Sequence, residues 1–503
     1  MQIKEENGTE NKREEIKRKG ENHMSKVKRI LSVIMAMVMV LAMSVPTFAA
    51  GTTATVSLTG FEDADSAEYM QIIKPDTSKT SGWAFTNGAG VCFTSALGLT
   101  DSDDAQQQVI WGLIQYRDST VALPTGVTAK TVTAADIDLA LSKVKALTGF
   151  INLTDKTKFD VDKAGVYAIK AEEEGYTYKT ATAYVGFGEV EHANYPALLD
   201  TSVTAKKSST IVDKTVADDD HVVAIGDIVT YTIEAYVPYI DAANTANRTF
   251  KITDKITGAD YYLTGTGAKN SVMMVGSNDP VGTIEVNKNG TGFEINLDSL
   301  VADKDNPNAG KKITVTYTAK VNALTVENKA GSHVANTEYG GNNVPVKLFT
   351  GEITLLKYGD SDKTNVLKDA EFEVYKDGAA LKFKQEANGN YRYAPNADDA
   401  VTTVVTNEAG KVVVEGLDVG TYHFKETKAP KGYSINTDGK DITLTQDGEA
   451  TAIVTASDDL NDTKLNALPS TGGIGTTIFT IGGCAIMIVA AGLFFATRRK
   501  TQK

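Results

Sequence analysis

From about Ser208 to Leu348, apolar and polar residues alternate in runs such as DIVTYTIEAYV, RTFKITDKI, GFEINLDSL and KKITVTYTAKV. A period of two is the signature of strands with one buried face, and the Asn, Asp and Gly between the runs supply turns. This segment reads as an all-β sandwich. The same grammar returns from Gly351 to about Thr463 in EITLLKY, AEFEVYKDG, KVVVEGL, GTYHFKE and DITLTQ. From about Ala50 to Asp200 the pattern is mixed. Strand-like TATVSLTG is joined there by TAADIDLALSKVKAL, where Ile137, Leu141, Val144 and Leu147 recur at helical spacing behind a Thr cap. The expected fold is mainly β, with tandem Ig-like β-sandwich domains behind an α+β N-terminal domain. Short joins between the blocks predict a stiff string.

Two longer apolar runs break this grammar. ILSVIMAMVMVLAM follows Lys26, Lys28 and Arg29 and is itself followed by VPTFAA, the layout of a secretory signal peptide. Cleavage is expected after Ala49, with Thr47 and Ala49 filling the small-residue positions and Met24 as the natural start. Near the other end, Ile474 to Ala496 is apolar throughout, close to the ~20 residues that a bilayer core requires. Arg498, Arg499 and Lys500 then hold the tail inside. The expected divisions are a leader and signal peptide at 1–49, an N-terminal domain at 50–205, and a middle sandwich at 206–348. A third sandwich at 349–464 and a terminal segment at 465–503, with a membrane helix over 474–496, complete them.

Composition removes several classes of function. The net charge of -13 argues against nucleic acid, whose phosphates need clustered Lys and Arg. Cys92 and Cys484 cannot pair, since Cys484 lies inside the apolar run. The five His are scattered, with no second ligand at metal spacing, so no metal and no cofactor is expected. DSDD and ADDDH lack the Gly and terminal Glu of a calcium loop and read as solvated turns. No G-x-S-x-G nucleophile motif is present, which weighs against a secreted enzyme.

LPSTGG, Leu468 to Gly473, stands directly before the membrane-length run. Pro469 disfavours helix at Leu468, and Gly472 and Gly473 leave the following bond bare. The order LPSTG, apolar span, basic tail resembles the cell-wall sorting signal of Gram-positive bacteria. The resemblance implies that Leu468, Pro469, Ser470, Thr471 and Gly472 form a sortase site. A sortase thiolate would attack the Thr471 carbonyl and release the segment from Gly472 onward, so the membrane would hold only the precursor.

YHFKETKAPKGY, from Tyr422, resembles the YxLxETxAPxGY element of Gram-positive pilins and collagen-adhesin B-type domains, with Phe424 in place of leucine. That likeness implies an autocatalytic isopeptide bond. Glu426 would be the catalyst, Lys357 in GEITLLKYGD the nucleophile, and Asn461 in IVTASDDLNDTK the acceptor. Burial would free the Lys lone pair and raise the Glu pKa, leaving a carboxyl able to shuttle protons. GVYAIKAEEEGY, from Gly165, weakly echoes the element but has Ala171 in place of the Glu, so no bond is expected there.

STIVDKTV, AIGDIVTYTIEAYVPY and FKITDKITG resemble, in order, the strands of the middle domain of shaft pilins. This implies a second bond from Lys214, with Asp254 as the acid. The acceptor is Asn336 in HVANTEYGG, or Asn328 in ENKAG. Val203-Thr204-Ala205-Lys206 aligns with the VYPK segment whose lysine resolves the sortase acyl-enzyme in pilins, although Tyr and Pro are missing. Lys206 is the expected acceptor, with Lys207 the alternative. The chain is thus identified as similar to sortase-assembled shaft pilins. Its implied partners are a sortase, further copies of itself, peptidoglycan and a host or microbial surface ligand. The alternative is a singly wall-anchored adhesin for a host matrix protein.

Overall fold

The structure, a computed structural model, describes residues 53–190, 194–335, 337–339, 345–465 and 474–500. The described part of the chain forms two compact units. One comprises Met1–Asp219 with Asp227–Leu348, and the other Asp220–Gly226 with Phe349–Lys503.

In the first unit, the strands Ser66–Pro75 and Gly165–Glu172 pair antiparallel at the centre of a sheet with two different faces. Met70, Ile72, Val166 and Ala168 point to one side, where they pack against three helices, Ala89–Ala96, Asp103–Arg117 and Ala134–Val144. Ala67, Tyr167, Ile169 and Ala171 point to the other, against the sheet formed by Ala54–Thr59, Lys158–Val161 and Thr201–Thr204. Alternation along one strand thus feeds two cores. The third helix has the expected cap: the Thr133 side chain accepts from Asp136 N, and the Asp136 carboxylate accepts from Thr133 N. Asp103–Arg117 was not among the sequence expectations, although Ser102 caps it and Val109, Ile110, Leu113 and Ile114 are buried at helical spacing.

The remainder of this unit is a two-sheet sandwich. One sheet runs Asp213–Val216, Ile228–Tyr236, Lys312–Val321, Ala259–Tyr261, with Asn270–Met274 also on the Lys312–Val321 strand. The other is centred on Phe250–Thr257, paired with Gly292–Asn296 and Thr325–Val334. The two blocks are stitched together. Lys207–Ser209 pairs with Tyr176–Tyr178, Ser208 Oγ donates to Val237 O at 2.6 Å, and Tyr239 N donates to Thr177 Oγ1 at 3.1 Å.

The second unit is also a sandwich. Gly351–Gly359 lies between Lys411–Leu417, antiparallel, and the last strand Val454–Asp462, parallel. The facing sheet is built on Glu371–Lys376, Gly420–Lys428 and Lys440–Leu444. Asp220–Gly226 lies along this unit as a strap. Phe349 N donates to His221 O at 2.9 Å, Val223 N to Phe349 O at 2.9 Å, and Ile225 N to Gly416 O at 3.0 Å. Gly416 has φ +84°, and a Cβ there would meet Ile225 Cδ1 at 2.7 Å, so only glycine admits both the turn and the strap. A final helix, Ile474–Lys500, contains 21 residues, Ile478–Arg498, long and apolar enough to cross a membrane. Ala49 and Leu468–Gly472 lie outside the described residues.

Candidate crosslinking sites

Lys214 enters the first unit's sandwich from one sheet, and Asp254 and Asn328 come from the other. Its strand pairs with Ile228–Tyr236, placing Lys214 opposite Ile233 on the inward face. On the facing sheet Asp254 lies opposite Ala330 and Ile256 opposite Asn328, so Asp254 and Asn328 share the inward face as diagonal neighbours. The Lys214 ammonium meets the Asp254 carboxylate, donates to Asn328 Oδ1 at 2.6 Å and touches the Tyr317 hydroxyl at 2.5 Å. Tyr261 OH donates to Asp254 Oδ1 at 2.7 Å, and Asn328 Nδ2 donates to the Tyr317 oxygen at 2.9 Å. Both charged side chains of the pair are fully buried.

Burial opposes charge on both members. Desolvation lowers the Lys214 pKa to about 8, against the pull of Asp254. Desolvation also raises the Asp254 pKa, against the stabilising effect of Lys214. The two shifts favour moving the proton from ammonium to carboxylate, giving a free amine beside a neutral acid. Of the two expected acceptors, Asn328 meets Lys214; Asn336 lies outside the described residues. Parity places Asn328 on the inward face beside Asp254.

The second site is made differently. Lys357 and the last strand lie side by side in one sheet, and Glu426 reaches them from the facing sheet, where it is opposite Phe372 in register. Lys357 is completely buried and its ammonium contacts Asp462 Oδ1. Glu426 Oε1 lies 3.2 Å away. One ammonium between two carboxyls in a dry interior leaves an excess negative charge unless one carboxyl is protonated. Glu426 is the member pushed up, first by burial and further by Asp462, while Asn436 N, donating to Oε2 at 2.6 Å, and Lys357 pull it down. The raised pKa of Glu426 favours its neutral form, which lowers the excess charge.

The side chain of the last strand that meets Lys357 is Asp462, whereas the expected acceptor Asn461 does not reach it. Ile353, Leu355 and Lys357 face inward, and on the parallel last strand the inward positions are Leu460 and Asp462. Asn461 falls between them and points away, where its Oδ1 accepts from Ser361 N at 2.7 Å. A shift of one residue exchanges the two faces of a strand. The inward run Leu460, Asp462 was available in the sequence as the signal for this. The APKGY turn that follows Glu426 closes over the same end of the sheet. Tyr433 lies so close to Gly359 that a Cβ there would come within 2.4 Å of its ring.

The two candidate acceptor lysines are adjacent and unlike. Lys207 forms an ion pair with Glu173 at 2.7 Å and sits over the Tyr176 and Tyr178 rings at 4.5 and 5.3 Å. Lys206 is exposed, and its backbone carbonyl accepts from Lys179 N at 2.9 Å. Its ammonium has no ion pair among the described residues. Ala171 lies in an apolar cluster with Val56, Ile169 and Val203.

Residues 351–459 match the SpaA prealbumin-like fold domain, and residues 461–503 match the LPXTG cell wall anchor motif. Among curated proteins, the chain is 24% identical to fimbrial subunit type 2 of Actinomyces naeslundii over 61% of its own length, spanning 63% of that relative. It is 22% identical to the trypsin-resistant surface T6 protein of Streptococcus pyogenes, over 77% of this chain and 89% of that one. Among solved structures, the T6 backbone pilin of serotype M6 Streptococcus pyogenes aligns with 84% of this chain and 100% of its own at 17% identity, with a TM-score of 0.49. The major pilin SpaD of Corynebacterium diphtheriae aligns with 82% of this chain and 97% of its own at 18% identity, with a TM-score of 0.46. The anchor motif, the prealbumin-like domain and the fimbrial relatives agree: along most of its length the chain is similar to pilin and fimbrial subunits, and its C-terminal end carries an LPXTG cell wall anchor motif.

Proposed function

We propose that this chain is the repeating shaft subunit of a covalent fibre, stiffened by one isopeptide bond in each sandwich. A sortase cleaves after Thr471 and passes the acyl group to Lys206 of the next copy, and the last subunit is attached to peptidoglycan. Inside each subunit, Lys214 joins Asn328 with loss of ammonia, with Asp254 as the acid. Lys357 joins Asp462 with loss of water, with Glu426 as the acid.

The observation that carries this reading is the burial of both lysines against an acid and an acyl acceptor. Neither set serves stability well as an ion pair, since desolvation cancels most of the attraction. As reaction centres both make sense: each lysine is already in contact with the acyl group it would attack, which removes much of the entropic barrier. The exposed, unpaired Lys206 supports it over the tethered Lys207 as the intermolecular nucleophile.

The test is the intact mass of the soluble ectodomain, from Ala50 to before Leu468. The expected deficit from the sequence mass is one ammonia plus one water. A mass equal to the sequence mass overturns the intramolecular part. For assembly, Lys206→Arg expressed with the native sortase is expected to abolish high-mass ladders in wall extracts, because arginine keeps the charge and is too basic to attack. Ladders lost only in Lys207→Arg move the acceptor by one residue. Absence of ladders from the wild type favours a singly anchored adhesin.

A further inference from the structure

The Lys214 site raises a chemical question that its three expected members do not answer. Forming the bond removes two protons from an ammonium and adds one to the Asn328 amide nitrogen, which must leave as ammonia. Asp254 contacts the Lys214 ammonium and the hydroxyls of Tyr261 and Tyr317. No hydrogen bond joins it to Asn328 among the described residues. It can collect the first proton, but it does not touch the leaving group. Tyr317 touches both ends. Its oxygen is 2.5 Å from Lys214 Nζ and accepts from Asn328 Nδ2 at 2.9 Å.

We propose that the Tyr317 hydroxyl is the proton relay of this reaction, taking a proton from Lys214 Nζ as it gives its own to the departing Nδ2 of Asn328. This rests on the Lys214–Asn328 bond proposed above. The balance closes. Lys214 first gives one proton to Asp254, and the free amine attacks Asn328 Cγ, leaving negative charge on Oδ1 and positive charge on Nζ. Tyr317 then accepts the second Nζ proton and passes its own to Nδ2. The C–Nδ2 bond breaks with its electron pair, Oδ1 re-forms the carbonyl, and ammonia departs. Tyr317 ends as it began, a neutral phenol.

Its surroundings suit a relay that never dwells as an anion. Tyr317 is fully buried and stacks on Tyr231 at 5.5 Å, with Phe293 edge-on at 5.0 Å. Burial and the neighbouring Asp254 carboxylate raise its pKa well above the ordinary phenol value, so stepwise ionisation is disfavoured and coupled exchange is the open route. The Lys357 site provides a contrast. There the acceptor is a carboxyl, the acid Glu426 comes from the facing strand, and the aromatic ring beside the ammonium is Phe372, at 5.6 Å, which has no hydroxyl. A relay phenol accompanies the amide acceptor and not the acid one.

The experiment follows bond formation in ectodomain pulse-synthesised in a cell-free system, by quantifying the Lys214–Asn328 crosslinked tryptic peptide over time. Tyr317→Phe is expected to slow its appearance roughly 10²-fold or more. The Lys357–Asp462 peptide in the same sample is expected to form at the wild-type rate and reports that the second unit has folded, and protease resistance of residues 206–348 reports that the sandwich carrying Tyr317 has folded too. A Tyr317→Phe rate equal to wild type overturns the relay while leaving the bond intact. Absence of the peptide from wild type overturns the bond itself. Site-specific 3-fluorotyrosine at 317 preserves the ring and its contacts but makes the phenol more acidic. A changed rate supports the relay, and an unchanged rate means the hydroxyl only orients Asn328 and overturns it.

Discussion

Asn461 and Asp462 are neighbours in sequence and face opposite sides of a strand, so they make opposing predictions. Asn461→Ala is expected to leave the bond to Lys357 intact, with the same loss of one water in the intact mass. Asp462→Ala removes the acyl group and leaves Lys357 buried beside Glu426 alone; the water deficit disappears. Asp462→Asn is expected to restore a bond, now with loss of ammonia. A wild-type Lys357–Asn461 peptide in the digest would reverse this assignment. At the Lys214 site, pH gives a further test. The Asp254 pKa is raised, so the acid form begins to build up above the usual carboxylate range as pH falls. Protonated Asp254 cannot accept the ammonium's proton, so bond formation in freshly refolded chain is expected to fail as pH falls through that raised pKa. It is expected to recover as pH rises toward the Lys214 value of about 8. A rate that climbs as the solution becomes more acidic would refute this order of proton transfers.

The strands place Lys214, Asp254, Lys357 and Glu426 on inward positions of their alternating runs. Lys214, Asp254, Lys357 and Glu426 were each legible in the sequence, because a charged residue on the inward parity of an apolar run is rare and a motif marked its place. The acyl-bearing side chains beside the lysines were harder to place. A one-residue shift flips a strand's face, and for the last strand the short polar run SDDLND gave the parity through Leu460 alone. Tyr317 was invisible for the opposite reason: a tyrosine in KKITVTYTAKV looks like any other core aromatic, and only the three-dimensional geometry shows that its hydroxyl meets Lys214 in its own sheet and Asn328 in the facing one. The helix Asp103–Arg117 was missed because its polar face, with three consecutive Gln, masks a buried stripe. Glu426→Ala tests the facing strand. It is expected to abolish the Lys357–Asp462 bond yet leave a folded domain, destabilised by a few (~2–5) kcal/mol, as when a comparable covalent constraint is removed. Thermal melting and the crosslinked peptide read the two effects separately; a bond that persists without Glu426 removes it as the catalyst.

Each proposed bond closes a long loop, of 114 positions between Lys214 and Asn328 and 105 between Lys357 and Asp462. A pull on the ends of the subunit would bypass both loops. Single-molecule stretching of the wild type is expected to show no length gain from either loop. Lys357→Ala is expected to release roughly 370 Å of chain, and Lys214→Ala roughly 400 Å, at about 3.5 Å per extended residue. Equal extension in wild type and mutants would mean that the loops are not closed. The strap Asp220–Gly226 bears on how such a protein can diversify. His221 supplies the carbonyl for Phe349 N, and Ile225 donates to Gly416, yet these residues are encoded upstream of Asp227–Leu348, a long stretch belonging to the other unit. The C-terminal domain is thus not a freely exchangeable cassette. A recombination event joining a foreign domain at Phe349 would set it against an inherited strap shaped for another surface. Variants that drift in the 349–465 region are expected to carry compensating changes in seven residues more than a hundred positions away, and chimaeras built without them are expected to be the less stable ones.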